Sequence, residues 1–276
     1  MRLPEPILVT HLFSEVLGSL VELLAGLSAE MWLQPTTCQG WSVKDVTLHL
    51  LGAEVGILSR KRDQFTPPGK PIQDPEQLLA FINDLNATWV QATQRLSPRL
   101  LCDLIRFTGT QVNDYFQTLD PHTLGGPVSW AGPEPAPVWL DLAREYTERW
   151  HHQQHIRDAV GQPGLKQPRF LAPVLDTFVR AWPHTFRDVQ APEGTLVSLT
   201  LSGEAGGRWF LHRQSNRWEL GLEMTQAPDA SVVLDQDLAW RLFTAGIRPE
   251  QALAGAGLSG DPDLGRKVLD MISIIA

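Results

Sequence analysis

Apolar side chains recur at helical spacing through the first two thirds of the chain, and then the pattern changes to alternation. Over residues 7–27, Leu12, Val16, Leu20, Leu23, Leu24 and Leu27 fall three or four apart, which predicts one amphipathic helix. Gly40 interrupts the pattern. Ser42 is a good N-cap, and Asp45 three residues later completes a capping box with Asp in place of Glu. This second helix is expected to run to about Arg62, where Pro67-Pro68-Gly69 opens a loop. Asp74-Pro75-Glu76 starts a third helix reaching about Leu96, with Pro in its first turn. Ser97-Pro98 caps a fourth, through about Leu119. Residues 120–137, rich in Pro and Gly, read as a loop. The longest helical pattern covers 138–160 and stops at Gly161. A further helix is predicted over 168–186.

Beyond Pro192-Glu193-Gly194 the period becomes two, at 195–201, 208–213 and 217–222, with a fourth short strand at 231–235. Gly206-Gly207 and Ser215-Asn216 supply turns. Helix returns at 236–245, from Pro249, and over 261–275. The fold class expected is α+β: a helical bundle over residues 1–190 followed by a small α+β domain over 191–276.

Composition narrows the function. The 276 residues are 43% hydrophobic and 20% charged, as in an ordinary globular protein. A net charge of -8 and the lack of a basic run argue against nucleic-acid binding. Neither a signal peptide nor a membrane-spanning stretch is apparent. Two cysteines, Cys38 and Cys102, make no disulfide framework and suit a reducing cytoplasm. Each reads first as a small core residue, although Cys38, just before Gly40-Trp41, can also bring a thiol near a metal.

The candidate chemistry lies in Glu148-Arg-Trp-His151-His152-Gln-Gln-His155-Ile-Arg-Asp158. On a helix His151 and His155 stand one turn apart, a spacing from which two imidazoles can hold one divalent ion. His49, on the second helix, is the third candidate ligand. Three imidazoles leave one tetrahedral position open for water or substrate. His152 is out of phase with this pair. Glu148 is placed to act as a base or to orient a ligand. Asp45 and Asp158, each one turn from a candidate ligand, could accept a second ring N–H. The plainer alternatives are a hydrogen-bonded core histidine at 49 and a partly solvated face at 151–155.

The segment Gly40-Trp41-Ser42-Val43-Lys44-Asp45-Val46-Thr47-Leu48-His49-Leu50 resembles the signature of the DinB-like four-helix-bundle superfamily. It is most similar to the branch containing mycothiol-dependent maleylpyruvate isomerase. The resemblance implies that His49 is a metal ligand. His155-Ile-Arg-Asp158-Ala-Val-Gly161 resembles the second signature, which implies ligands at His151 and His155. The stretch from Ala239 to Gly246, with Gly260-Asp261 and the apolar end, resembles a sterol-carrier-like domain. The isomerase branch carries Glu first in its second ligand pair, where this chain has His151. Three neutral ligands would leave zinc its full charge and a more electrophilic site, closer to DinB-type thiol transferases, which argues against maleylpyruvate itself as substrate. A basic residue from the C-terminal domain is also implied, with Arg208, Arg213 and Arg241 as candidates.

The expectation is a metal-dependent enzyme in the cytoplasm, a monomer or homodimer. It would use a low-molecular-weight thiol such as mycothiol or bacillithiol for S-transfer to, or isomerisation of, a small electrophile. Zinc is the expected metal, with Ni2+ or Fe2+ also suited to imidazoles. The rival readings are an apolar-ligand-binding protein with a structural or vestigial metal, and a hydrolase built on metal-activated water.

Overall fold

The computed structural model describes residues 2–65 and 75–274. The expected loop at 67–69, the start of the third helix at Asp74 and the chain end at Ile275 lie outside the described residues. The mixed helix and sheet architecture is as expected. The chain forms two compact units, one comprising Met1–Leu8, Pro121–Thr147 and Leu165–Ala276, the other Val9–Asp120 and Glu148–Gly164. By packing, 121–147 and 165–190 group with the sheet, whereas the expected division lay at residue 190.

The helical unit contains α1 (Phe13–Ala25), the short α2 (Ala29–Trp32), α3 (Val43–Ile57), α4 (Pro75–Thr93) and α5 (Pro98–Gln117). It also holds the C-terminal part of α6 (Val138–Val160). The capping box at Ser42 forms as expected: Asp45 N–H donates to Ser42 Oγ over 3.3 Å, and Ser42 N–H to Asp45 Oδ2 over 2.8 Å. Ser97 caps α5 by accepting from Leu100 N–H over 3.3 Å. Leu101, Ile105, Thr108, Val112 and Phe116 give α5 one buried stripe. After Ile57 the chain continues in a π turn, Leu58–Arg62. Helices α3 and α4 approach closely because Gly52 has no side chain. A Cβ there would stand 2.7 Å from the Trp89 ring, whose N–H donates to Leu48 O over 2.8 Å. Gly40, with φ +78, closes the turn before α3.

In the other unit a two-stranded ladder, β1 (Leu124–Pro127) and β2 (Pro135–Pro137), occupies the expected loop. Its prolines hid it, since they cannot donate to a ladder. The expected helix over 168–186 is broken into α7 (Pro168–Val179) and α8 (Trp182–Thr185). Pro183 lacks the N–H that would continue α7. The sheet is β3 (Leu196–Ser202), β4 (Gly207–Gln214), β5 (Arg217–Gly221), β6 (Ala230–Asp235) and β7 (Gly257–Gly260). Its order is β5-β4-β3-β6-β7, with β3 and β6 parallel and the other neighbours antiparallel. The four expected strands are present. The edge strand β7 was not anticipated, because glycines at both ends give it no strand signature. Helices α9 (Gln236–Phe243), α10 (Pro249–Leu253) and α11 (Pro262–Val268) complete the unit. Helix α11 stops before the expected end, and Ser273 is tied by hydrogen bonds of 2.8 Å to Phe178 O and Phe243 O. Among the described residues, no helix is long and apolar enough to cross a membrane.

Candidate metal centre

All the candidate ligands lie in the helical unit. Helix α3 carries His49, α6 carries Glu148, His151, His152 and His155, and the α2–α3 turn carries Cys38. That turn is well tied. Thr36 N–H and its hydroxyl both donate to Trp41 O, over 2.9 and 2.8 Å, and Cys38 N–H donates to Thr36 Oγ1 over 3.2 Å. Trp41 in turn lays its ring 5.2 Å from that of His49.

Among the described residues, two triads have ligand atoms that all lie within 4.8 Å of one another. One is His49, Glu148 and His152; the other is Cys38, His152 and His155. The expected grouping of His49 with His151 and His155 is not one of these two, and the out-of-phase His152 is their shared member. The reason is helical phase. At 3.6 residues per turn, His152 lies about 40° to one side of Glu148 and His151 about 60° to the other. His49 meets the first side, its ring 4.6 Å from that of His152. His151 is buried beside both, 4.0 Å from the His152 ring and 5.2 Å from that of His155, but belongs to neither triad.

Glu148 Oε2 lies 3.4 Å from His152 Nε2, and the Glu148 side chain is 28% exposed. Burial works to raise its pKa. The hydrogen bond with His152 and the neighbouring His151, His152 and His49 outweigh it and hold the acid well below the usual carboxylate range. Burial pushes His152 far below an ordinary histidine, and it also lowers His49. At neutral pH the set is thus one carboxylate and two neutral imidazoles, the protonation states in which these groups bind a cation. His152 Nδ1 is buried and has no hydrogen-bond partner. Cys38 Sγ lies 3.0 Å from His155 Nδ1. Burial raises the thiol to about 11, against a smaller lowering by the Thr36 hydrogen bond.

The partner of His49 differs from the one expected. Asp45 is committed to the Ser42 cap and to a hydrogen bond from Gln94, not to His49. The His49 hydrogen bond goes instead to Asn86 on α4, which carried no sequence signal. Asp158 is exposed. Arg208, Arg213 and Arg241 belong to the other unit, each with its guanidinium over an aromatic ring, of Phe210, Trp218 and Trp240 respectively. Arg213 is buried, with Nε and Nη1 lacking hydrogen-bond partners.

The family model for the mycothiol maleylpyruvate isomerase N-terminal domain matches residues 13–157. Among solved structures, the crystal structure of the mycothiol-dependent maleylpyruvate isomerase has a TM-score of 0.53 at 13% identity, over 91% of each chain. A histidine-to-alanine variant of that enzyme aligns over the same shares, with a TM-score of 0.53 at 12% identity. At that identity the likeness speaks to the fold. No curated protein matches the chain.

Proposed function

The chain belongs to the family of mycothiol maleylpyruvate isomerase N-terminal domains, and from that premise we propose that it is a metal-dependent enzyme using a low-molecular-weight thiol, mycothiol or a similar one, to isomerise a small electrophilic substrate. Transfer of the thiol sulfur to such an electrophile is the neighbouring reaction. The observation that carries this reading is the convergence of His49, Glu148 and His152 from two helices remote in sequence.

Two imidazoles and a carboxylate suit zinc and other borderline divalent ions. Glu148 would then be a ligand rather than a base. The ordered pair Glu148–His152 has the carboxylate-first arrangement that the sequence resemblance implies for the isomerase branch. A carboxylate ligand also brings the net charge of a divalent centre to +1. With this ligand set, the electrostatic argument against maleylpyruvate as substrate, which rested on three neutral ligands, does not apply.

A divalent ion bound here would supply Lewis-acid chemistry that favours the thiolate form of a thiol at neutral pH. The chain's own groups supply the rest. Asn86 orients the His49 ring, and the Trp41 ring flanks it. Glu148 keeps the set anionic. The Thr36–Trp41 hydrogen bonds hold the turn that positions Trp41.

Elemental analysis of the purified chain beside His152→Ala and His151→Ala tests the ligand set. Close to one metal per chain is expected for the wild type and for His151→Ala, with loss in His152→Ala. Metal retained in His152→Ala but lost in His151→Ala would return the site to the three-histidine arrangement. Turnover that needs no thiol would instead favour a hydrolase.

A further inference from the structure

We propose that Cys38, His152 and His155 form a second, sulfur-containing ligand set that takes a soft divalent cation such as zinc or cadmium and competes for His152 with the His49–Glu148 set. The proposal rests on the functional reading only in the shared residue His152.

Three observations support it. First, a ring nitrogen of His152 lies within 4.8 Å of both the Cys38 sulfur and a ring nitrogen of His155. Two imidazoles and a thiol are a common donor mixture for zinc. Second, the His152 side chain is 11% exposed, and its Nδ1 is buried without a hydrogen-bond partner. An acceptor left in that state inside a protein calls for a cation or a proton. Third, the sulfur is held in place rather than presented on a loose loop. The turn is tied by Thr36 on one side of Cys38 and by Trp41 N–H donating to Cys38 O over 2.9 Å on the other.

The geometry needs little adjustment. Tetrahedral zinc, with bonds of about 2.3 Å to sulfur and 2.0 Å to nitrogen, sets those two atoms about 3.5 Å apart. The Cys38 Sγ–His155 Nδ1 separation is 3.0 Å, so replacing that hydrogen bond by two metal bonds requires only a small opening. The sulfur–metal bond forms as the thiol loses its proton to solvent, with no change of oxidation state. Soft thiolate ligands favour zinc and cadmium over magnesium or calcium. A neutral imidazole has one nitrogen with a free lone pair, the other carrying a proton, so His152 serves one ion at a time and filling this set withdraws a ligand from the carboxylate set. A thiophilic ion at this position would oppose the proposed chemistry.

Cobalt(II) titration of the full-length, chelator-treated chain provides the test, because cobalt reports thiolate ligation by an intense near-ultraviolet charge-transfer band and tetrahedral binding by visible bands. The wild type should show the charge-transfer band. Cys38→Ser and His155→Ala should each lose it, while Cys102→Ser and His49→Ala should keep it. Circular dichroism confirms the fold of each variant, and His155→Ala carries the test if Cys38→Ser does not fold. Visible bands without charge transfer in the wild type would overturn this proposal and leave the His49–Glu148–His152 reading intact. A band that survives Cys38→Ser, or disappears in His49→Ala, would also overturn it. No cobalt uptake at all would overturn both.

Discussion

Glu54 is the buried acid of the helical unit, with Thr108 donating to its Oε2 over 2.5 Å. Burial raises its pKa from 4.5 to about 7, with the charge of Arg149 and the Thr108 hydrogen bond pulling the other way. Arg149 itself stacks over Phe13 and Phe116, at 5.4 and 5.7 Å from their centroids. A raised carboxyl pKa means that the folded chain holds the proton more tightly than the unfolded chain. The associated stability is complete below about pH 4.5 and is lost as pH rises through about 7. The loss is up to about 3 kcal/mol. Glu54→Gln should abolish this part of the pH dependence, read from urea midpoints at pH 5 and 7.5. Equal pH dependence in both proteins would show that Glu54 does not titrate in that interval. At the same scale, the histidine cluster was legible in the sequence but its internal grouping was not. Helix α6 is buried almost all round from Leu142 to Arg157, so no polar face marks which side the site lies on. Four pairs stand three or four residues apart, Glu148 with His151 or His152 and His155 with His151 or His152, and it is the approach of His49 to His152 that distinguishes them in the fold.

The capping of α3 is the element on which the site depends most directly. The same Ser42 side chain that accepts from Asp45 N–H ends the turn bearing Cys38 and starts the helix bearing His49. Ser42→Ala should cost about 1 kcal/mol of stability, measured by chemical denaturation, and should weaken metal retention. An unchanged denaturation midpoint would mean that the cap is replaced by solvent. Gly52→Ala places a methyl group against Trp89 and should cost about 1–3 kcal/mol; a neutral result would show that α4 can shift away. Elements with strong local signals were readable: the Ser42 and Ser97 caps, the full extent of α6 up to Gly161, and the four alternating strands. What escaped were elements made by tertiary pairing, β1, β2 and β7, whose Pro and Gly residues carry no strand preference, and the break at Pro183, where one missing N–H outweighs a continuing apolar period.

For the whole molecule, the proposed ligands come from segments that only the folded chain brings together, so cation binding there would be coupled to folding. Zinc at a hundred times its dissociation constant should stabilise the native state by about 2.7 kcal/mol. A zinc-dependent rise in Tm is expected for the wild type and not for His152→Ala. A similar rise in both would place the ion elsewhere. The membership of the family speaks for the helical half in particular, since its model ends at residue 157, just past the last of these ligands.

The order in which the ligands appear also sets a timetable. About 100 residues separate His49 from Glu148, so at 5–20 residues per second the ribosome needs on the order of 5–20 s to pass from one to the other. During that interval the nascent bundle would hold one of the three proposed ligands, His49, without the other two. On the proposed set an ion could be captured only once α6 has emerged and docked, which would make loading a late event rather than a seed for folding.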